Sequence, residues 1–138
     1  MAALNSDVPQ TIRDRYRDLN LSFLPNPVKK DISTLSDTDA VKRAVVNLVL
    51  TKNYERPFHT ELGCNVTALL FDNITTITAI SIQRSIEDVI NNFEPRVRLQ
   101  KVDVNVNPDA NGYDVSIYFY INNIREIQSI SFFLERLR

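Results

Sequence analysis

The apolar and polar positions divide the chain into a helical first half and a strand-rich last third. Within residues 41–49, apolar side chains recur at i, i+3, i+4, i+7 and i+8, which puts them on one face of a helix. Ser36 suits the N-cap of that helix, and the acidic Asp37 and Asp39 favour its positive N-terminal end. The pattern therefore predicts a helix from about residue 37 to about residue 52.

A second, longer helical pattern begins at Thr76 or Thr78 and must stop before Pro95, because proline cannot continue a helix. A short helix over residues 66–72, with Asn65 as its cap, is expected before it. The apolar residues of the long helix share one face: Ala79, Ile82, Ile86, Val89, Ile90 and Phe93.

From Val102 onward the apolar residues recur at every second position, which is typical of strands. Turn residues at 108–112 and 122–123 separate three such segments, so we expect an antiparallel three-stranded meander. A further strand is predicted over residues 18–23, followed by a loop over residues 24–35. The fold class is α+β, with helices on one face of a small, mainly antiparallel sheet.

Residues 1–17 are polar and of mixed charge, and residues 18–138 are expected to form a single domain. Two interpretations of the N-terminal segment stay open. It is either an arm that is ordered only against a partner, or a short amphipathic turn packed on the domain.

Three aromatic residues fall on the solvent side of the predicted meander. Tyr118, Tyr120 and Phe133 alternate with the core positions, where a solvated face usually carries charged side chains. Either the sheet simply tolerates these residues on its solvent side, or the N-terminal segment covers them, or they form a protein-binding face. An outer strand of the sheet could also accept a strand from another chain.

Length and charge bound the class of protein. The chain has 138 residues and a net charge of −1, so neither nucleic acid nor a membrane surface is an expected partner. The longest apolar stretch, residues 44–50, is interrupted by Asn47 and is too short to span a bilayer. The N-terminus lacks the features of a signal peptide. The single cysteine excludes an intramolecular disulfide and suits a reducing compartment.

The chain has only two glycines, although average usage is about 7%. Phosphate-binding loops, dinucleotide fingerprints and nucleophile elbows need clustered glycines and are excluded. One histidine and one cysteine cannot form a zinc site alone, and we expect no metal or cofactor. His59 and Cys64 have no spacing typical of a catalytic pair. Glycoside hydrolysis needs two carboxylates on opposite sides of a cleft. The sequence does not indicate that any two of the candidate glutamates are placed in this way: Glu55, Glu61, Glu87 and Glu94.

The tripeptide Glu94-Pro95-Arg96 lies where the long helix passes into the first strand of the meander. In one interpretation, Pro95 stops the helix and Arg96 binds its terminal carbonyls. In the other, the rigid corner presents Glu94 and Arg96 to a partner. The residues alone favour the first.

Several motifs occur in an order that resembles a known family. That family comprises small baseplate wedge proteins of contractile-tailed phages, historically labelled gene-25-like lysozymes, with a relative in the type VI secretion baseplate. The motifs are Asp18-Leu19-Asn20-Leu21-Ser22-Phe23, Pro25-Asn26-Pro27, Asp31-Ile32, Arg56-Pro57-Phe58, Glu61-Leu62-Gly63-Cys64, Leu70-Phe71-Asp72 and Asn92-Phe93-Glu94-Pro95-Arg96.

The resemblance implies a structural role without enzymatic activity. It implies docking to the wedge's helical core bundle through Glu94, Pro95 and Arg96, and initiation of the contractile sheath on the sheet. The expected partners are other wedge proteins, the tail sheath protein, and tail tube or hub proteins. The expected location is the tail baseplate of the virion, assembled in the host cytoplasm. The alternatives are a peptidoglycan hydrolase of the tail and a regulatory adaptor module of the same fold.

Overall fold

The computed structural model describes residues 16–28, 30–122 and 124–137. The predicted N-terminal arm, residues 1–17, lies outside the described residues except for Tyr16 and Arg17. In chain order the elements are β1 (Arg17–Leu19), β2 (Thr34–Ser36), α1 (Asp37–Leu50), α2 (Val66–Leu69), α3 (Thr76–Phe93), β3 (Val97–Asn107), β4 (Gly112–Ile121) and β5 (Ile127–Glu135). The chain divides into two compact units, residues 1–40 and 41–138.

In the first unit, β1 pairs with β2 in an antiparallel two-stranded sheet. The predicted strand over residues 18–23 is wrong beyond Leu19. The side chain of Asn20 accepts a hydrogen bond from the Ser22 N–H at 3.1 Å, and its carbonyl accepts one from the Phe23 N–H at 3.0 Å. Such an Asx turn ends the strand. The loop predicted over residues 24–35 is also wrong at its end, because its last two residues belong to β2.

The helix α1 confirms the first helical prediction and ends two residues before the expected limit. Ser36, the expected N-cap, is the last residue of β2. Asp37 binds Tyr16 instead: its carboxylate accepts the Tyr16 N–H at 3.3 Å, and its own N–H donates to the Tyr16 carbonyl at 2.7 Å. At the other end, the Thr51 hydroxyl donates to the Asn47 carbonyl at 2.6 Å.

The two ends of the loop between α1 and α2 lie close together, and this close approach requires a glycine at position 63. The Cys64 N–H donates to the Thr51 carbonyl at 2.8 Å. Gly63 has φ +155°, and a Cβ placed on it would lie 2.6 Å from the Lys52 carbonyl oxygen. Only glycine permits this backbone geometry and this close approach.

The helix α2 is shorter than predicted, and Asn65 does not cap it with its side chain; the Asn65 carbonyl accepts the first helical N–H groups instead. The helix α3 begins at Thr76, one of the two predicted starts. Its N-cap is Thr75, whose hydroxyl accepts the Thr78 N–H at 3.2 Å. α3 contacts both α2 and β3. Its buried face confirms the predicted stripe apart from the half-buried Phe93: Ala79, Ile82, Ile86, Val89 and Ile90.

The meander β3–β4–β5 is confirmed, with β4 in the centre. Buried and accessible residues alternate along β4, so its odd-numbered side chains form the core side of the sheet. The β3–β4 turn places Asn111 at φ 53°, as the Asn-Gly pair predicts. After β5, the Arg136 side chain donates to the Asp72 carbonyl at 3.1 Å and to the Asn73 side chain at 3.2 Å. These bonds fasten the end of the chain to the loop before α3.

Among the described residues, one buried side-chain polar atom lacks a hydrogen-bond partner. The Tyr113 side chain is fully buried, and its hydroxyl forms no hydrogen bond within the part of the chain that the structure describes. A buried hydroxyl without a partner loses its bonds to water and gains nothing in return.

We therefore expect Tyr113→Phe to leave the free energy of unfolding unchanged or to raise it by up to about 1 kcal/mol. Urea unfolding followed by circular dichroism measures this. Tyr118→Phe, at an exposed position of the same strand, is the matched control and should change nothing. A loss of stability in Tyr113→Phe would mean that the hydroxyl has a partner in the native chain.

Candidate functional site

The end of α3 forms a sharp corner. Glu94 leaves helical geometry, with φ −121° and ψ 80°, while its N–H still donates to the Ile90 carbonyl at 3.0 Å. Pro95 imposes this change, because proline disfavours the helical conformation in the residue before it. β3 begins at Val97, two residues after Pro95. The tripeptide Glu94-Pro95-Arg96, called the corner below, thus reverses the chain direction within three residues.

A bidentate ion pair holds the corner. Arg96 Nε donates to Glu94 Oε1 and Arg96 Nη2 donates to Glu94 Oε2, both at 2.7 Å. The Glu94 side chain is only 7% exposed, whereas that of Arg96 is 35% exposed. The structure therefore brings the predicted docking residues together but gives them different positions. Pro95 and Arg96 lie at the surface, and Glu94 lies beneath them as the partner that orients Arg96.

Asn122, just after β4, ties the corner to the sheet. Its side-chain amide donates to the Pro95 carbonyl at 2.8 Å, and its backbone N–H donates to the Arg96 carbonyl at 2.9 Å. Sequence reasoning treated Asn122 only as a turn residue. No local signal marks this role, because the two segments are more than twenty residues apart in the chain.

The predicted aromatic residues share the outward face of the sheet but do not form one cluster. Tyr118 and Tyr120 are neighbours on this face of β4, and Tyr120 lies opposite the exposed Ile127 of β5. Phe133 pairs with Asp114, four residues from Tyr118, which is roughly 13 Å along a strand. Ile127 was missed in the sequence, although it alternates in phase with Phe133.

Phe133 also has a structural role. A Cβ on Gly112, at the start of β4, would collide with the Phe133 ring. The ring thus covers the glycine backbone from the adjacent strand, a known way of stabilising glycine in a sheet. Packing against Gly112 therefore partly explains why an aromatic residue lies at position 133. Tyr118 and Ile127, in contrast, are exposed on the outward face.

Charge is unevenly distributed on the outward face. Arg98 and Lys101 lie near the corner, whereas Asp114 and Glu135 lie toward the other end of the strands. Lys101 Nζ lies 2.8 Å from Asp103 Oδ1. That hydrogen bond is the main reason why the pKa of the Lys101 ammonium is raised above its ordinary value.

The outer edge of β5 has no paired strand among the described residues. β5 is an outer strand of the sheet that the described residues form. The Arg136 N–H donates to the Asn111 carbonyl at 3.0 Å, which continues the β4–β5 ladder. Backbone amides point alternately to the two sides of a strand, so the even-numbered residues of β5 face β4. The N–H and C=O groups of Ser129, Ser131 and Phe133 therefore point away from β4.

The candidate catalytic residues are not assembled into a site. His59 Nδ1 lies 3.7 Å from Glu61 Oε1, and both side chains are exposed. Cys64 is buried, and burial raises the pKa of its thiol above the ordinary value. A protonated, buried thiol is a poor nucleophile.

The other carboxylates are engaged locally. Glu55 accepts the Lys52 N–H at 2.9 Å, and Glu87 accepts the side-chain amide of Gln83 at 2.9 Å. The described ranges contain no group of three or more His, Cys, Asp or Glu side chains that could hold a metal ion. They also contain no helix that combines the length and apolar character needed to cross a bilayer.

Comparison with known proteins gives consistent matches. The family model described as "Baseplate wedge protein gp25" matches residues 35–124. The baseplate wedge protein gp25 of Enterobacteria phage T4 is 33% identical over 104 residues, which are 73% of this chain and 77% of that protein.

Three solved structures share the fold. A candidate tail lysozyme from Geobacter sulfurreducens aligns with a TM-score of 0.68 at 18% identity, over 75% of this chain and 96% of that chain. A chain of the anti-feeding prophage baseplate aligns with a TM-score of 0.60 at 18% identity, over 89% and 87%. A chain of the postcontracted pyocin R2 baseplate aligns with a TM-score of 0.53 at 13% identity, over 86% and 99%.

Burial of Cys64 leads to a pH-dependent prediction. Because its pKa is raised, less thiolate is present at a given pH, and iodoacetamide should alkylate the native chain at pH 8 more slowly than the chain in urea. The stability gained from the protonated thiol is present below the ordinary thiol pKa and is lost as the pH rises through the folded-state value. Mass spectrometry follows the reaction.

The double variant Cys64→Ala with Ala68→Cys is the control, because position 68 is exposed on α2. Its thiol should react at similar rates with and without urea. Equal rates for Cys64 in both conditions would contradict its burial.

Proposed function

Because the chain belongs to the baseplate wedge protein gp25 family, we propose that it is a structural component of a contractile-tail baseplate that docks to the wedge core and initiates the sheath. Its proposed partners are the helical core bundle formed by other wedge proteins, the tail sheath protein, and tail tube or hub proteins. Its proposed location is the tail baseplate of the virion, assembled in the host cytoplasm.

The observation that carries the docking proposal is the ion pair at the corner. An arginine side chain normally samples many rotamers, and ordering it on binding costs free energy. Here the Glu94 carboxylate holds Arg96 by two parallel bonds, and Pro95 stiffens the backbone between them. The corner thus presents an arginine that is already oriented. A carboxylate or a helix-terminal carbonyl of the wedge core can approach its exposed side.

Sheath initiation is proposed for the outer edge of β5. The outward N–H and C=O groups of Ser129 and Ser131 can form a ladder with an incoming strand, and neighbouring side chains can contact that strand. Ile127 and Phe133 are exposed on β5 and flank these serines. We propose that an arm of the first sheath ring pairs here and that its side chains extend toward Tyr118 and Tyr120.

The proposal includes the absence of enzymatic activity. Glycoside hydrolysis needs two carboxylates across a cleft, one of them with a raised pKa. Glu94 binds Arg96 through both oxygens, and Glu55 and Glu87 each accept a local hydrogen bond. Release of muropeptides from purified peptidoglycan by this chain, lost in Glu94→Gln, would contradict this part. A regulatory adaptor, in contrast, would be missing from finished particles analysed by mass spectrometry.

For the corner, we expect Arg96→Lys to remain folded but to lose binding to co-expressed wedge proteins. Lysine keeps a positive charge beside Glu94 but cannot reproduce the planar, bidentate geometry. Loss of a buried interface charge contact costs about 2–5 kcal/mol of binding. Affinity purification with quantitative gels measures the complex, and a thermal melt reports folding. Arg84→Lys, at an exposed position of α3, is the matched control.

Arg96→Ala alone is unsuitable, because it would leave the Glu94 carboxylate buried without its cation. The double variant Glu94→Gln with Arg96→Ala removes both charges and should fold without binding the wedge. If both this variant and Arg96→Lys co-purify with the wedge proteins as well as the wild type does, the corner is not the docking site.

For the edge of β5, we expect Ser131→Pro to give normal baseplates that do not start a sheath. Proline lacks the outward N–H at this position, while the bonds from β5 to β4 come from the even-numbered residues and are kept. Electron microscopy of particles measures sheath length. Ser131→Ala keeps the N–H and is the control. Full-length sheath on Ser131→Pro baseplates would rule out strand addition at this edge.

A further inference from the structure

A groove of about 390 Å³ opens on the outward face of the sheet, next to the corner. It is lined by Arg98, Gln100, Tyr120, Ile121 and Asn122. Because the Asn122 side chain also binds the Pro95 carbonyl, the groove and the corner form one continuous surface. A partner docked at the corner would therefore lie beside the groove.

A bulge in β3 shapes this groove. The pairing register of β3 and β4 shifts between Leu99 and Lys101, which leaves Gln100 as the extra residue. Such a bulge redirects side chains and breaks the regular ladder. Gln100 is consequently exposed in the groove, close to Arg98 and to the outward side chain of Tyr120.

Arg98 in the groove forms no ion pair with the carboxylates of the described residues. Two other cations in this region have a carboxylate partner: Arg96 binds Glu94 at 2.7 Å and Lys101 binds Asp103 at 2.8 Å. Arg98 is exposed, and no carboxylate of the described residues lies within ion-pair distance of it. The face carries its remaining acidic residues at the opposite end of the strands. A negatively charged partner group is thus the one that the groove attracts.

We propose that the groove binds a glutamate or aspartate side chain from an acidic segment of the wedge protein that docks at the corner. Arg98 pairs with the carboxylate, Gln100 donates a further hydrogen bond from its amide, and the Tyr120 ring packs on the methylene groups. The identity of the partner rests on the docking function proposed above; the carboxylate specificity rests on the groove alone. The corner and the groove then act as two adjoining contacts of one interface.

Co-purification of the full-length chain with its co-expressed wedge proteins tests the partner. Arg98→Gln should reduce the bound fraction at least about tenfold, as expected for loss of one interface ion pair. Arg98→Lys should retain most binding. Arg84→Gln removes a charge from the exposed side of α3 and should have no effect. If Arg98→Gln and Arg84→Gln bind equally well, the proposal is overturned, even where Arg96→Lys abolishes docking.

Nuclear magnetic resonance with a blocked triglutamate peptide tests the chemistry without any wedge protein. Saturable shifts of the Gln100 and Asn122 side-chain amides, lost in Arg98→Gln and absent with blocked trilysine, would support a carboxylate site. This result would stand even if no wedge complex formed, so the two proposals can fail separately. Shifts spread over all exposed cations, or no shifts, would overturn the carboxylate assignment.

Discussion

A buried carboxylate at the end of α3 needs a cation, and Arg96 supplies it from two residues away. The two 2.7 Å bonds between Arg96 and Glu94 close around Pro95 and set the direction in which the chain leaves the helix. From this junction β3 runs back against α3, and β4 and β5 follow by short turns. Asn122 adds two more bonds to the same junction. Removing Arg96 would leave the buried Glu94 carboxylate without its cation, so the corner is a structural element as well as a surface.

Alternate residues of each strand point to opposite faces of the meander, so one face packs in the core and the other faces outward. Odd-numbered residues of β4 fill the core. The outward face carries aromatic residues, a basic end formed by Arg98 and Lys101 of β3, and an acidic end formed by Asp114 of β4 and Glu135 of β5. The backbone of β5 follows the same alternation, with one set of amides used by β4 and the other directed away from it. A chain built in this way offers an aromatic face and a strand edge, and the proposed assembly role rests on these two features. Similarity of fold alone would not decide this point, because one fold hosts many functions.

Periodicity determined much of this structure in advance. The apolar stripes of α1 and α3 and the alternation in β3, β4 and β5 report which side of each element meets the core, and that information is local. Turn chemistry was equally local: Asn111 adopts the positive φ that the Asn-Gly pair predicts. Even the end of α3 was visible, because a proline forbids continuation. The order of short motifs was enough to suggest the family that the match over residues 35–124 then established.

Tertiary structure decided what depends on distant segments. The pairing of β1 with β2 could not be predicted from periodicity, since alternation indicates a strand but not its partner, and each of these strands has only three residues. The packing of the elements decides which side chains are buried and which are exposed, and the residue types alone do not specify that packing. Examples are the burial of Glu94, the exposure of Ile127 and the contact of Phe133 with Gly112. The groove beside the corner exists because a bulge in β3 meets the end of β4. The sequence by itself determined which face of each element is apolar. Only the folded chain decided which polar groups lie together on the surface, because their contacts join residues far apart in sequence.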